Sequence, residues 1–188
     1  MALTPLAVSA LALLVERPMH PYEMYQVLLE RNEDRFVKVR PGSIYHTVER
    51  LHGDGLVEVT GTERDGNRPE RTTYAVTSPG RDAVKARVRE LISQPVPEYP
   101  HFPLALNEAH KIPAEEAVAD LRQYIAALDE DIALQNAALQ NARAQGKEPT
   151  YLIGADYLIA TAIAQRDWLT NLITRIENED FTWQPHPR

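Results

Sequence analysis

The chain has no cysteine, which excludes disulfides and thiolate-held metals. No apolar run approaches the roughly 20 residues that cross a bilayer, so no membrane partner is expected. The N-terminus has no basic stretch ahead of its apolar segment, and Pro5 and Ser9 interrupt that segment; it does not read as a signal peptide. A soluble cytoplasmic chain is therefore expected. Catalytic signatures are missing as well. His20, His46, His52, His101, His110 and His186 show no metal-ligand spacing, and His46 and His52 do not share a helix face. There is no Gly-rich phosphate loop, no GxSxG elbow and no cysteine nucleophile. The acidic pair Glu115-Glu116 sits at a helix start, where the helix dipole already accounts for it. These absences speak against an enzyme, and no cofactor or metal is implied.

An excess of positive charge is also lacking. The 188 residues carry a net charge of −7, but the charge is unevenly divided. Residues 1–94 hold 13 Lys+Arg and 13 Asp+Glu, whereas residues 95–188 hold 7 and 14. The first half is neutral and can meet a polyanion if its cations cluster in space; the acidic half has no reason to. With 44% hydrophobic residues the chain can bury a core and fold as one or two small domains.

The most informative segment is Pro41 to Val57, which reads as a two-faced helix stopped by Gly55 and followed by a strand. Ile44, Val48 and Leu51 form one apolar stripe at i, i+4 and i+7. Ser43, His46, Thr47 and Arg50 form a second stripe of hydrogen-bonding residues that contains no carboxylate. Such a stripe suits the major groove, where base-edge donors and acceptors must be met. Val57 and Val59, then Tyr74 and Val76, alternate with polar residues as half-buried strands do. Between them lies a turn carrying Arg64, Arg68 and Arg71. By itself such a turn is a solvated hairpin tip; behind this helix it reads as a phosphate-contacting wing, which positions a protein on DNA.

Earlier elements fit the same plan. Thr4-Pro5 starts a helix, with Leu3, Leu6, Ala7, Ala10, Leu11 and Leu14 at helical spacing, and Pro18 ends it. His20-Pro21 restarts the chain into a helix over Tyr22 to Arg31 with Met24, Val27 and Leu28 on one face. Thr77-Ser78-Pro79 caps a further helix with Val84, Val88 and Leu91 facing inward.

In family order, the residues Thr4-Pro5-Leu6, His20-Pro21-Tyr22-Glu23, Gly42-Ser43-Ile44-Tyr45, Arg50-Leu51, Gly55-Leu56-Val57, Tyr74, and Thr77 with Gly80-Arg81 resemble the PadR-like transcriptional regulators. Two positions depart from that family's pattern. Pro21 stands where Gly is usual, and His46 stands where Pro is usual, so a sequence preference is not carried over. The resemblance implies a dimeric winged helix-turn-helix repressor of a near-palindromic double-stranded operator, with a C-terminal helical region for homodimerisation. Recognition-helix candidates are then Ser43, Tyr45, His46, Thr47 and Arg50. Tyr22, Lys38, Arg40, Arg64, Arg68 and Arg71 are the wing and flank candidates. Tyr22 and Tyr45 resemble positions that touch phosphate or pack the helix pair, and the residues leave both roles open. A winged-helix protein-interaction module without specific DNA binding is the competing reading.

The second half reads as a helical hairpin. Pro95, Pro97, Pro100 and Pro103 mark a linker with one short turn around Leu104 to Glu108. A long helix is predicted over Ala114 to Ala144 and another from Tyr151 to Asn178, both with apolar residues at alternating spacings of 3 and 4. Leu121, Ile125, Leu128, Ile132, Ile159, Leu169, Leu172 and Ile173 are the dimerisation candidates. Arg166 interrupts the seam and is expected to snorkel or to pair with an acidic neighbour across the helices. The resemblance also implies a small hydrophobic or aromatic effector, with Trp168, Tyr157 and Tyr151 as candidate lining residues. The expected fold is mainly α with a small β-hairpin wing. Its parts are a winged helix-turn-helix domain over 1–94, a linker over 95–112, an α-helical hairpin dimerisation domain over 113–180 and a tail over 181–188.

Overall fold

The structure is a computed structural model, and it describes residues 3–63 and 71–183. The chain divides into two compact units, Met1–Glu98 and Tyr99–Arg188.

The first three α-helices each begin at a proline. In α1 (Pro5–Glu16) the Thr4 hydroxyl accepts from the Ala7 amide at 3.3 Å, which satisfies an otherwise orphaned donor. In α2 (Pro21–Glu30) the cap is a histidine: Nδ1 of His20 accepts from the Tyr22 amide at 3.1 Å. In α3 (Pro41–Gly53) no side chain caps the helix, and Pro41 removes one amide that would need a cap. Gly55 at φ +71° then turns the chain into β1 (Val57–Glu63). β1 pairs antiparallel with β2 (Arg71–Val76), from Val57 opposite Val76 to Glu63 opposite Arg71, with a register shift between Val59 and Gly61.

The hairpin is anchored at both ends. Met19, between α1 and α2, exchanges two backbone hydrogen bonds of 3.0 Å with Tyr74. At the other end α4 (Ser78–Ser93) starts against the α3–β1 turn. The Thr77 amide donates to Leu56 O at 3.1 Å, the Thr77 hydroxyl donates to Gly55 O at 2.8 Å, and the Gly80 amide donates to that hydroxyl at 3.2 Å. The core lies under α1, which buries Leu6, Ala7, Ala10, Leu11, Leu13 and Leu14 around Met19, Met24, Leu28, Ile44, Val48, Leu51 and Val57. Of the α4 residues expected inside, Val84 is buried, whereas Val88 and Leu91 are exposed.

The second unit opens with α5 (His101–Glu108), a helix of two turns where the prolines suggested a linker with one short turn. Pro103 is its third residue, a first-turn position whose amide has no intrahelical acceptor in any case. Helices α6 (Ala114–Ala144) and α7 (Ile153–Glu177) form an antiparallel hairpin. One cluster joins Val118 and Leu121 to Leu169, Ile173 and Ile176; the other joins Leu139 to Leu152 and Ile159. Arg166 pairs across the hairpin with Asp129 at 3.2 Å, and on its own helix with Asp167 at 2.7 Å. Phe181 and Trp183, from the segment read as a tail, pack on the first cluster, where the Trp183 indole N–H donates to Ile112 O at 2.9 Å.

Candidate nucleic-acid interface

Helix α3 has two unlike sides. Ile44, Val48 and Leu51 point into the core beneath α1, and they cover an arc of about 60° at 100° per residue. Thr47 flanks that arc and is buried, 9% exposed. This corrects the polar stripe drawn from the sequence. A threonine has a methyl group as well as a hydroxyl, and at the rim of an apolar arc it packs inward, so Thr47 is not on the presented face.

The presented face is centred on His46 and Glu49, whose side chains are 84% and 68% exposed and whose Nδ1 and Oε2 atoms lie 3.6 Å apart. Glu49 was missed by the sequence stripe, which therefore understated the charge on this side. Ser43, half-buried, and Arg50, exposed, border the face on one side, and Tyr45 borders it on the other. Nη2 of Arg50 donates to Thr4 Oγ1 at 3.2 Å, so the guanidinium rests beside the N-cap of α1. Tyr45 meets the His20 ring edge-on at 5.8 Å between centroids. This contact shows packing for Tyr45 while leaving it partly exposed.

The exposure of the connector cations follows from strict alternation. In the connector before α3, Val37 and Val39 pack on the core, so Lys38 and Arg40 point outward and are exposed. Arg71 opens β2 and is exposed; its charge is felt at His20. Burial, then the Arg71 charge, hold the His20 imidazole below its usual pKa, against the opposing pull of Glu23. That favours the neutral ring, whose free Nδ1 caps α2. Tyr22 is exposed beside this cap, with its ring tilted against Tyr25 at 6.2 Å. Arg64 and Arg68 lie outside the described residues. Burial, and after it the charge of Glu49, raise the Tyr74 phenol, which places Glu49 close enough to β2 to act on it electrostatically.

In the second unit the dimerisation candidates are occupied by their own chain. Leu121, Ile132, Ile159, Leu169 and Ile173 are buried, and Ile125, Leu128 and Leu172 pack against the hairpin core. A seam spaced by 3 and 4 shows that a helix has a partner but not whether the partner is the same chain. The effector candidates lie on the surface of the second unit. Tyr151, Tyr157 and Trp168 are 75%, 65% and 53% exposed. Tyr157 and Trp168 stand about 16 Å apart along α7, and so enclose no cavity in one chain. A cleft of about 520 Å³ lies instead in the first unit, with Leu3, Leu51, Leu56, Ala83 and Ala86 along its walls and Arg50 and Arg87 at its edge.

Among the described residues, no helix is long and apolar enough to cross a membrane. No curated protein matches the chain in sequence. Three solved structures resemble it over most of its length. Bacillus subtilis PadR in complex with operator DNA is 16% identical at a TM-score of 0.77, over 91% of this chain and 98% of that one. Bacillus subtilis PadR in complex with p-coumaric acid is 15% identical at 0.71, over 93% and 99%. The PadR-like transcriptional regulator BC1756 from Bacillus cereus is 19% identical at 0.65, over 93% and 99%. Identities this low establish a shared fold: a winged helix-turn-helix followed by a helical region. The sequence of the first unit goes further, since residues 10–86 match the model of the Transcriptional regulator PadR-like family. Those residues include helix α3 and the hairpin, so the sequence likeness to the PadR-like transcriptional regulators lies in the first unit.

Proposed function

We propose that this regulator is a sequence-specific DNA-binding homodimer, a repressor that sits on a near-palindromic operator and responds to a small hydrophobic or aromatic effector. The observation that carries the reading is the outward, polar face of α3, together with the exposed cations Lys38 and Arg40 just before the helix, Arg50 on it and Arg71 at the start of β2. Base edges are read by groups on such a helix, and flanking cations hold phosphates. Operator DNA bound to the Bacillus subtilis relative supports the same direction.

One helix-turn-helix covers one half-site, and a two-fold dimer sets the spacing of two. The face that a second copy would cover is the outer side of α7. Ile153, Tyr157, Ala160, Ala164 and Trp168 are all exposed, and they fall within about 80° of one another on the helix. The small residues at the waist of this stripe allow close approach, and the large ones at its ends supply contact area. An effector reading has support from the p-coumaric acid complex of the relative. It is checked by a saturating change in tryptophan fluorescence that disappears in Trp168→Phe.

The deciding experiment is fluorescence anisotropy with the DNA just upstream of the gene and with random DNA, at two salt concentrations. Tight binding that prefers the upstream DNA and weakens steeply with salt, by about 0.9 in log–log slope per phosphate contact, supports the proposal. Absence of binding even at low salt would move the assignment to a winged-helix module that binds protein.

A further inference from the structure

The outward face of α3 carries a carboxylate, which is an unexpected group to aim at a polyanion. Opposite the buried arc of Ile44, Thr47, Val48 and Leu51 stand His46 and Glu49, 84% and 68% exposed. Glu49 does not hold the fold together. Its contact with His46 is a solvent-exposed pair on one helix turn, of a kind that contributes little to stability, and its influence on Tyr74 ranks behind burial.

A carboxylate accepts hydrogen bonds and cannot donate them. On approach to duplex DNA it is repelled by phosphate and by acceptor atoms, and it is satisfied only by a donor. In the major groove the donors are the cytosine N4 amino and the adenine N6 amino groups; guanine offers N7 and O6, and thymine offers O4 and a methyl. Adenine places its N7 acceptor beside the amino group, where it opposes the second carboxylate oxygen. Cytosine has no acceptor of its own on that edge.

We propose that Glu49 is a specificity-determining residue whose carboxylate accepts a hydrogen bond from the N4 amino group of a cytosine in each half-site. Guanine and thymine are rejected at that position because acceptor would face acceptor. His46 stands beside it on the same face, with its Nδ1 3.6 Å from Glu49 Oε2. This inference rests on the DNA-binding reading above, and the test separates the two.

The test selects binding sites from a randomised duplex pool with the full chain, Glu49→Ala and Glu49→Gln, and measures the affinity of each for random DNA by anisotropy at low salt. For the unmodified chain, one half-site position should favour cytosine by about tenfold, near the lower end of what one good base contact supplies. Glu49→Ala should flatten that position alone while binding random DNA more tightly, because a like charge facing the phosphates is gone. Glu49→Gln should move the preference towards adenine, which an amide pairs through N6 and N7. Base preferences that superpose for all three proteins would overturn the proposal, even with tighter random binding in Glu49→Ala. Failure of all three to bind any duplex at low salt would overturn the DNA-binding reading together with this one.

Discussion

Gly80 is the position at which the smallest change should do the most damage. It lies in the first turn of α4, and a Cβ built there would stand 2.0 Å from Leu56 O, 2.9 Å from Val76 Cγ2 and 3.0 Å from the Leu56 carbonyl carbon. The nearest obstacle is backbone, so the contact is relieved only if α4 and the α3–β1 turn separate by roughly 1 Å or more to reach ordinary contact distance. Two hydrogen bonds cross the same junction, Thr77 N to Leu56 O at 3.1 Å and Thr77 Oγ1 to Gly55 O at 2.8 Å, while Gly80 N to Thr77 Oγ1 at 3.2 Å caps α4 from within. A separation of that size removes the two crossing bonds from hydrogen-bonding range. Each costs about 1 kcal/mol. The better helix propensity of alanine returns at most about 1 kcal/mol. Gly80→Ala should therefore destabilise the winged unit by roughly 1–2 kcal/mol, within the range for overpacked sites, and lower its melting temperature by about 4–16 °C. Both tryptophans, Trp168 and Trp183, lie in the other unit, so the transition is best followed by far-UV circular dichroism. An unstrained glycine-to-alanine change in a helix stabilises by about 0.4–1 kcal/mol. A variant as stable as the parent, or more stable, would refute the close approach.

Arg50→Ala should cost less than about 1 kcal/mol of stability, since it removes an exposed hydrogen bond to Thr4. The same change should narrow the gap between operator and random DNA by about 1–3 kcal/mol. Thr47→Ala should leave that gap unchanged, because its side chain faces inward; equal losses in competition anisotropy would return Thr47 to the reading face. Leu169→Ala, at a fully buried position of the helical hairpin, should cost about 2–5 kcal/mol in denaturant unfolding followed by tryptophan fluorescence, and a cost below about 1 kcal/mol would contradict the packing. The His20 pKa is lowered in the folded chain, so as pH falls the unfolded chain takes up the proton first. Stability from the neutral cap is whole above about pH 6.5 and is lost as the pH drops through the folded value. Melting temperatures at pH 7.5 and 5.5 should differ less in His20→Asn, which caps without titrating; an undiminished difference would exclude His20 as the source.

Much of this architecture was legible because it is written in local chemistry. Thr4-Pro5, His20-Pro21 and Pro41 each mark a helix start, and Ala114–Ala144 has the predicted bounds because a proline precedes it and Gly146 follows it. What was not legible depends on tertiary context. The template i, i+3, i+4, i+7 selects four residues and assigns them one character; it placed Thr47 on the reading face and passed over Glu49, three residues after His46. Residue type alone could not show that Thr47 sits at the rim of a buried arc. The seam of α6 and α7 and its closure into a hairpin were visible, but the spacing could not divide its residues between the hairpin core, where Leu169 and Ile173 are buried, and a second subunit. Phe181 and Trp183 had no periodic neighbours to reveal that they pack on the hairpin.

The distribution of charge has a consequence for how such a regulator finds its site. Non-specific affinity comes almost wholly from neutralised phosphates and rises with each cation that reaches them. Here residues 1–94 are balanced in charge, Lys38, Arg40, Arg50 and Arg71 are exposed, and a carboxylate stands on the outward face of α3. Away from its site, that carboxylate opposes every approach to the duplex. At the site a base amino group satisfies it, and the penalty is removed. In the proposed complex Glu49 therefore acts mainly by lowering affinity for the many wrong sequences. A genome offers on the order of a million or more competing sites, so occupancy depends on that ratio more than on operator affinity alone. A lysine at position 49 would be expected to tighten binding to all duplexes, and its cost would appear as lost discrimination.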